Sequence, residues 1–193
     1  RTGGTATSGT DFSTFGTQTV TFNAGAATGT TKNATLATTE DVLLEGSETV
    51  NLSLGNLGGS SVTKSLGNTS NTTTISDNES ATLTLASTAN AGEGLGSQNV
   101  GVVTMTITGT GTGTFALGSG ISITADVTDA GGGTATGGGT DYSFSAQTVT
   151  FNSSATTGAT RNATLTAVND QRVEGTETIK LQLANLGGST VSA

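Results

Sequence analysis

Acidic side chains crowded into one short stretch are the part of this sequence best equipped for chemistry. Glu40, Asp41, Glu45 and Glu48 fall in the run EDVLLEGSE. The run returns 129 residues later as NDQRVEGTE, with Asp170, Glu174 and Glu177. Only 10% of the residues are charged, so this crowding is not a by-product of a highly charged chain. Carboxylates so close repel one another unless a cation sits between them. Calcium is the cation such sites take, because it accepts six to eight hard oxygen ligands. The pairs Glu45/Glu48 and Glu174/Glu177 could instead act as the acid and base of a glycosidase. That chemistry also needs aromatic sugar platforms. Aromatic residues make up 4% of the chain, and Phe22 and Phe151 fall on the apolar faces of expected strands. We therefore expect no enzyme, and calcium as the bound ion.

The elements that must position these acids are strands. Each acidic run leads into an alternating apolar stretch, TVNLSL at 49–54 and TIKLQL at 178–183. Upstream, TVTF recurs at 19–22 and 148–151, and NATL at 33–36 and 162–165, each expected as a strand. NLGGS at 56–60 and 185–189 is expected to turn. Across 18–62 and 147–191, 27 of 45 positions are identical, too many for shared composition, so the chain carries a true internal repeat. Between the copies, 72–75, 81–86, 100–108 and 121–128 also alternate at period two. No stretch holds a helical period, and short strands between Gly, Asn and Ser turns indicate an all-β sandwich. Asp11 and Asp141, in matching T-D-F and T-D-Y steps, read as caps of turns, and Phe12 and Tyr142 after them as core.

Composition removes other functions. The chain has no Cys, His, Pro or Trp, which rules out disulfides, Cys- or His-ligated metals and Ser-His-Asp or Cys-His catalysis. Six Lys and Arg against 14 Asp and Glu, a net charge of −8, cannot form the basic stripe that nucleic acid requires. No apolar run is long enough to span a membrane. The sequence starts at Arg1 without an initiator Met or leader, so we expect a piece of a longer or processed protein. A Thr-, Gly- and Asn-rich, Lys-poor, acidic make-up fits a bacterial surface or secreted protein.

The run from Asp129 through GTATGGGTDYSFSAQTVTF to NATLTAVNDQRVEGTETIKLQL resembles a Calx-beta domain, the calcium-binding module of sodium/calcium exchangers and many bacterial surface proteins. The resemblance covers nearly all the chain. It implies tandem immunoglobulin-like antiparallel β-sandwiches, about one and a half repeats. In that order, residues 1–79 are the C-terminal part of a first repeat, strands D to G. Residues 80–193 are a second repeat lacking its last strand. The resemblance places the acidic loop and the end of strand G at one pole. Asp77, Asn78 and Glu79 then join Glu40, Asp41, Glu45 and Glu48 in a first site. For the second repeat it points to Glu93, Asp129, Asp170, Glu174 and Glu177. That copy departs from the pattern: Asn169 stands where an acid is usual, and Arg172 enters the loop.

Three roles follow as expectations. The first is a non-enzymatic extracellular structural or adhesive module, stiffened by calcium within a long bacterial surface protein. The second is a filament subunit whose sandwiches are completed by strands from neighbouring chains. The third is a carbohydrate-binding module, disfavoured by the few aromatics. Expected partners are neighbouring repeats or copies of the same chain, with surface glycans or other cells as further candidates.

Overall fold

A strand forms where an alternating sequence meets another backbone edge to bond, and the two halves of the chain differ in how many such edges they offer. In the computed structural model, residues 1–86 and 88–189 are described, so the last four residues assigned to the second repeat lie outside them. Among the described residues the elements are β1 (Leu43–Leu44), β2 (Glu48–Ser53), β3 (Ser70–Ile75), β4 (Ser80–Leu85), β5 (Ser97–Thr108) and β6 (Ala116–Leu117). They continue with β7 (Ser122–Asp129), β8 (Tyr142–Ser143), β9 (Gln147–Phe151), β10 (Thr160–Ala167) and β11 (Leu181–Ser189). No helix is present among them.

The second half is a sandwich of two antiparallel sheets, ordered β4-β5-β10-β8 and β11-β7-β9. Period-two alternation turns one side of each strand inward. Val103, Met105 and Ile107 from β5 meet Ala125 and Val127 from β7, and Val149 and Phe151 from β9, in one buried core. Phe12 and Tyr142 are buried as expected.

The first half is smaller. β2 and β3 pair antiparallel from Glu48↔Ile75 to Ser53↔Ser70. Ala6, Phe12 and Val50 form its core, with Leu36, Leu52 and Ile75 packed alongside. An N-terminal arm lies against the other edge of β2, with Ala6 N donating to Thr49 O at 3.0 Å and Thr2 N to Asn51 O at 2.8 Å. The second half repeats this contact, Ala135 N donating to Thr178 O at 3.1 Å. Both arms need Gly at the closest approach. A Cβ on Gly4 or on Gly133 would lie 2.1 Å from the carbonyl oxygen of Thr49 or Thr178.

The halves are joined by β1 and β6, which pair in parallel, Leu43↔Ala116 and Leu44↔Leu117. Leu44, from the first acidic run, packs against the core of the second half.

Three expectations change. TIKLQL at 178–183 is a strand only from Leu181, since Thr178 and Lys180 are bonded through their carbonyls to the arm at 130–135 and not to a neighbouring strand. TVTF at 19–22 and NATL at 33–36 form no strand, although their copies are β9 and the heart of β10. β9 is bonded by β7, and β10 by β5. No strand stands in those places beside 19–22 and 33–36 among the described residues, so their backbone has nothing to pair with. NLGGS at 185–189 belongs to β11 rather than turning. A register shift between Ala184 and Gly187 absorbs the extra residues. Gly188 is required there, since a Cβ would lie 1.9 Å from Ser122 O.

Candidate metal centre

The first acidic loop is shaped by its own carboxylates. Asp41 Oδ1 accepts a hydrogen bond from Leu43 N at 2.8 Å, an Asx turn that reverses the chain after residue 41. Asp77, just beyond β3, accepts from Glu79 N at 2.9 Å through Oδ1. Its Oδ2 accepts from Glu45 N at 2.6 Å and from Gly46 N. One carboxylate thus ties the end of β3 across to a loop more than 30 residues earlier. Asn78 Nδ2 donates to Glu40 Oε1 at 2.8 Å and to Thr110 Oγ1 at 2.7 Å. Thr110 also donates to Glu40.

These bonds surround a cleft of about 310 Å³. All seven residues expected at the first site line it: Glu40, Asp41, Glu45, Glu48, Asp77, Asn78 and Glu79. Asp11 lines it too, and no Lys or Arg does. Carboxylate oxygens of Asp11, Asp41 and Glu45 all lie within 4.8 Å of one another. Oxygens on opposite sides of one calcium ion stand about 5 Å apart at usual Ca–O lengths, so this group is compact enough to share an ion. Asp11 is almost fully buried, and its Oδ2 caps the turn at Thr7 N. The cap was expected; the place in the acidic group was not. The two roles are compatible, because a carboxylate has two oxygens and about four acceptor positions. Thr110 was also missed, and one Thr in so Thr-rich a chain gives no signal.

Crowding shows in the protonation of the cleft. Glu79 is pushed up to about 7, first by burial, then by its bond to Asp77 and the surrounding acids. Its Oε1 is buried with no hydrogen-bond partner. Glu48 also rises to about 7, through burial, a bond to Asp11 and nearby charges. Glu45 is raised by burial, then by Asp11, Asp41 and Asp77. Burial pushes Asp77 up as well, but the backbone N–H donors outweigh it and hold it below its usual value. Glu40 is lowered by its bonds from Thr110 and Asn78. Some acids here are settled by donors while others hold protons against the charge around them. The second set fits a divalent ion, whose charge would displace those protons.

In the second repeat, oxygens of Asp141, Glu174 and Glu177 lie within 4.8 Å of one another, on a far more exposed surface. Asp141 caps Thr136 N, as Asp11 caps Thr7 N. Glu177 is raised by burial and by Asp141. The other residues expected here stand outside this group. Asp170 forms the same turn as Asp41, accepting from Arg172 N at 2.7 Å. Asp129 accepts from Gly131 N at 2.8 Å and from the Tyr142 hydroxyl, which lower its pKa, the hydroxyl first. Glu93 is exposed, next to a Gly94 that faces Asn169.

Fold and site define an all-β repeat module with an acidic, cation-compatible cleft lined by its first half. The chain belongs to the Calx-beta domain family, which matches residues 2–80 and 93–191. Comparison with curated proteins and with solved structures finds no match. Calx-beta domains are non-catalytic and generally bind calcium.

Proposed function

We propose that this chain is a structural repeat of an extracellular bacterial surface protein, and that calcium in the first acidic cleft stiffens the junction between repeats. On this reading the first repeat ends near residue 79 and the second begins at 80, where β4 starts. The reading rests on the position of the cleft. Its lining comes from residues 11–79, before the junction, and the second repeat reaches it through Thr110, which bonds to Glu40 and Asn78 on the rim. Asp41, Glu45 and Asp11 are the residues that would hold the ion, with Glu79 and Glu48 next to them. Their mutual repulsion loosens the acidic loop that carries β1 to the second half when no cation is bound, and a divalent ion removes it. No helix of the described residues is long and apolar enough to cross a membrane.

Thermal unfolding in EGTA and in calcium tests this. Extracellular modules bind calcium at about 10⁻⁴–10⁻³ M, so ten times Kd at one site adds about 1.4 kcal/mol. That raises the melting temperature by about 3–5 °C for a chain of this size. Asp41→Ala should remove most of the rise. Equal melting temperatures in EGTA and in millimolar calcium would overturn the reading.

A further inference from the structure

We propose that Gly118 and Gly109, both beyond the junction, are positioning residues of the acidic cleft: their bare Cα atoms leave the room in which the Glu45 and Glu79 carboxylates stand. The inference rests on the calcium reading above and names what sets the geometry of that site. Residues 109–118 read GTGTGTFALG, with Gly at 109, 111, 113 and 118. The stretch runs beside the first acidic loop. Thr110 donates to Glu40, Ala116 N to Val42 O at 3.0 Å, and Gly118 N to Leu44 O at 2.9 Å.

Three of these glycines abut the acids. A Cβ on Gly118 would lie 2.7 Å from Glu45 Oε1 and closer still to its Cγ. A Cβ on Gly109 would lie 2.9 Å from Glu79 Cδ and closer still to Oε1. One on Gly111 would lie 2.6 Å from Asp41 O. Gly111 has a φ of +114°, where any side chain is strained whatever its neighbours. Gly109 and Gly118 are not among the glycines of positive φ. Their backbone does not call for glycine; the acids do.

Neither side of the Gly118–Glu45 contact can easily retreat. Gly118 is buried, its N–H is bonded to Leu44 O, and its carbonyl accepts from Ile121 N at 3.3 Å. Glu45 N donates to Asp77 Oδ2 at 2.6 Å. With both backbones pinned, an added methyl is relieved most readily by turning the Glu45 side chain. That takes its carboxylate away from Asp11 and Asp41, whose oxygens lie within 4.8 Å of it. Calcium holds its oxygens at about 2.3–2.6 Å, so a displacement of about 1 Å removes a ligand. Glu79 lines the cleft but stands outside that compact group, so the Gly109 contact matters less.

Directly excited terbium luminescence of the 193-residue chain, with calcium as competitor, tests this. The trivalent ion is held more strongly than calcium by the same carboxylates, so weakened variants stay measurable. We expect Gly118→Ala to weaken binding about tenfold and Gly109→Ala about threefold, with the β-sheet circular dichroism kept. Gly158→Ala, at a φ of +85° with nothing within 4 Å of an added Cβ, strains the second half without touching an acid and should leave binding unchanged. In a Glu45→Ala background Gly118→Ala should bring no further loss, whereas a merely structural glycine would lose the same factor again. A wild-type chain that takes up neither ion overturns the calcium reading and this inference with it. Wild-type binding that Gly118→Ala leaves intact, or weakens equally with and without the Glu45 side chain, overturns this inference alone. Should that variant not fold, unchanged binding in Gly109→Ala does the same.

Discussion

Residues 18–62 and 147–191 are close copies in sequence but not in structure. Phe22 is 54% exposed, and Phe151, 129 positions later, is completely buried. Yet some details survive in both. Gln18 bridges Thr35, its Oε1 accepting from the backbone N at 2.9 Å and its Nε2 donating to the carbonyl at 2.7 Å. Gln147 holds Thr164 in the same way, at 2.9 and 2.6 Å. Asp11 O accepts from Thr39 N, and Asp141 O from Val168 N, both at 2.9 Å. Contacts made within a copy are thus reproduced from sequence alone. Contacts that need β5 or β7 appear only where those strands stand. A strand is a property of a pair of segments, so identical residues are strand in one copy and unpaired chain in the other.

The sharpest way to break this comparison is to truncate the two phenylalanines. Phe151→Ala should cost about 3–5 kcal/mol in urea unfolding, and Phe22→Ala less than about 1 kcal/mol. Equal losses would mean that both copies are packed alike in solution.

The acidic loops differ for the same reason, since Asp77 closes the first and nothing equivalent closes the second among the described residues. Asp77→Ala leaves three backbone N–H groups without their acceptor and should cost about 2–3 kcal/mol even in EGTA. Asp77→Asn, which keeps one acceptor oxygen, should cost less.

Acidity sharpens the contrast further. Glu48 and Glu79 titrate near 7 in the fold against an ordinary 4.5. The folded state then holds protons that the unfolded chain releases, so their contribution is complete below about pH 4.5 and is lost as pH rises through 7. Asp77 and Glu40 are lowered and act oppositely, their contribution being present at neutral pH and lost in acid. Metal-free protein should therefore lose stability between pH 4.5 and 7 from the first pair. Calcium should flatten that slope and release protons at pH 6, measurable by calorimetry in buffers of different ionisation enthalpy.

The smallest effect belongs to the second group. Glu174→Gln and Glu177→Gln should change stability in EGTA by no more than about 0.5 kcal/mol, as expected of exposed side chains. They should also leave most of the calcium-induced rise intact. If they remove it, the exposed group is the principal site.

Much of the first cleft was legible in the sequence. Acid spacing and the family order brought Asp77, Asn78 and Glu79 together with residues 40–48, and the structure lines one cleft with all of them. Asp11 reads in the sequence only as a turn cap, because a side chain recognised as a cap looks fully employed; its place among the cleft acids emerges only in the fold. For the second repeat, the expected set of Glu93, Asp129, Asp170, Glu174 and Glu177 divides. Asp129 is engaged by Tyr142, a contact that the Phe at position 12 cannot make in the first copy. Strand patterns were readable wherever both partners lie in the chain. At 19–22 and 33–36 periodicity alone misled, since alternation records which face is apolar but not whether a neighbour is there to pair with it.

The short parallel contact of β1 with β6 bears on how the molecule comes apart. Ala116 N donates to Val42 O at 3.0 Å and Gly118 N to Leu44 O at 2.9 Å, while Leu44 sits against the larger core. The smaller unit therefore lends a hydrophobic plug to the larger one, and neither can melt without uncovering part of the other. Heating should register one cooperative event in place of two, with the array behaving as a chain of coupled neighbours rather than as beads.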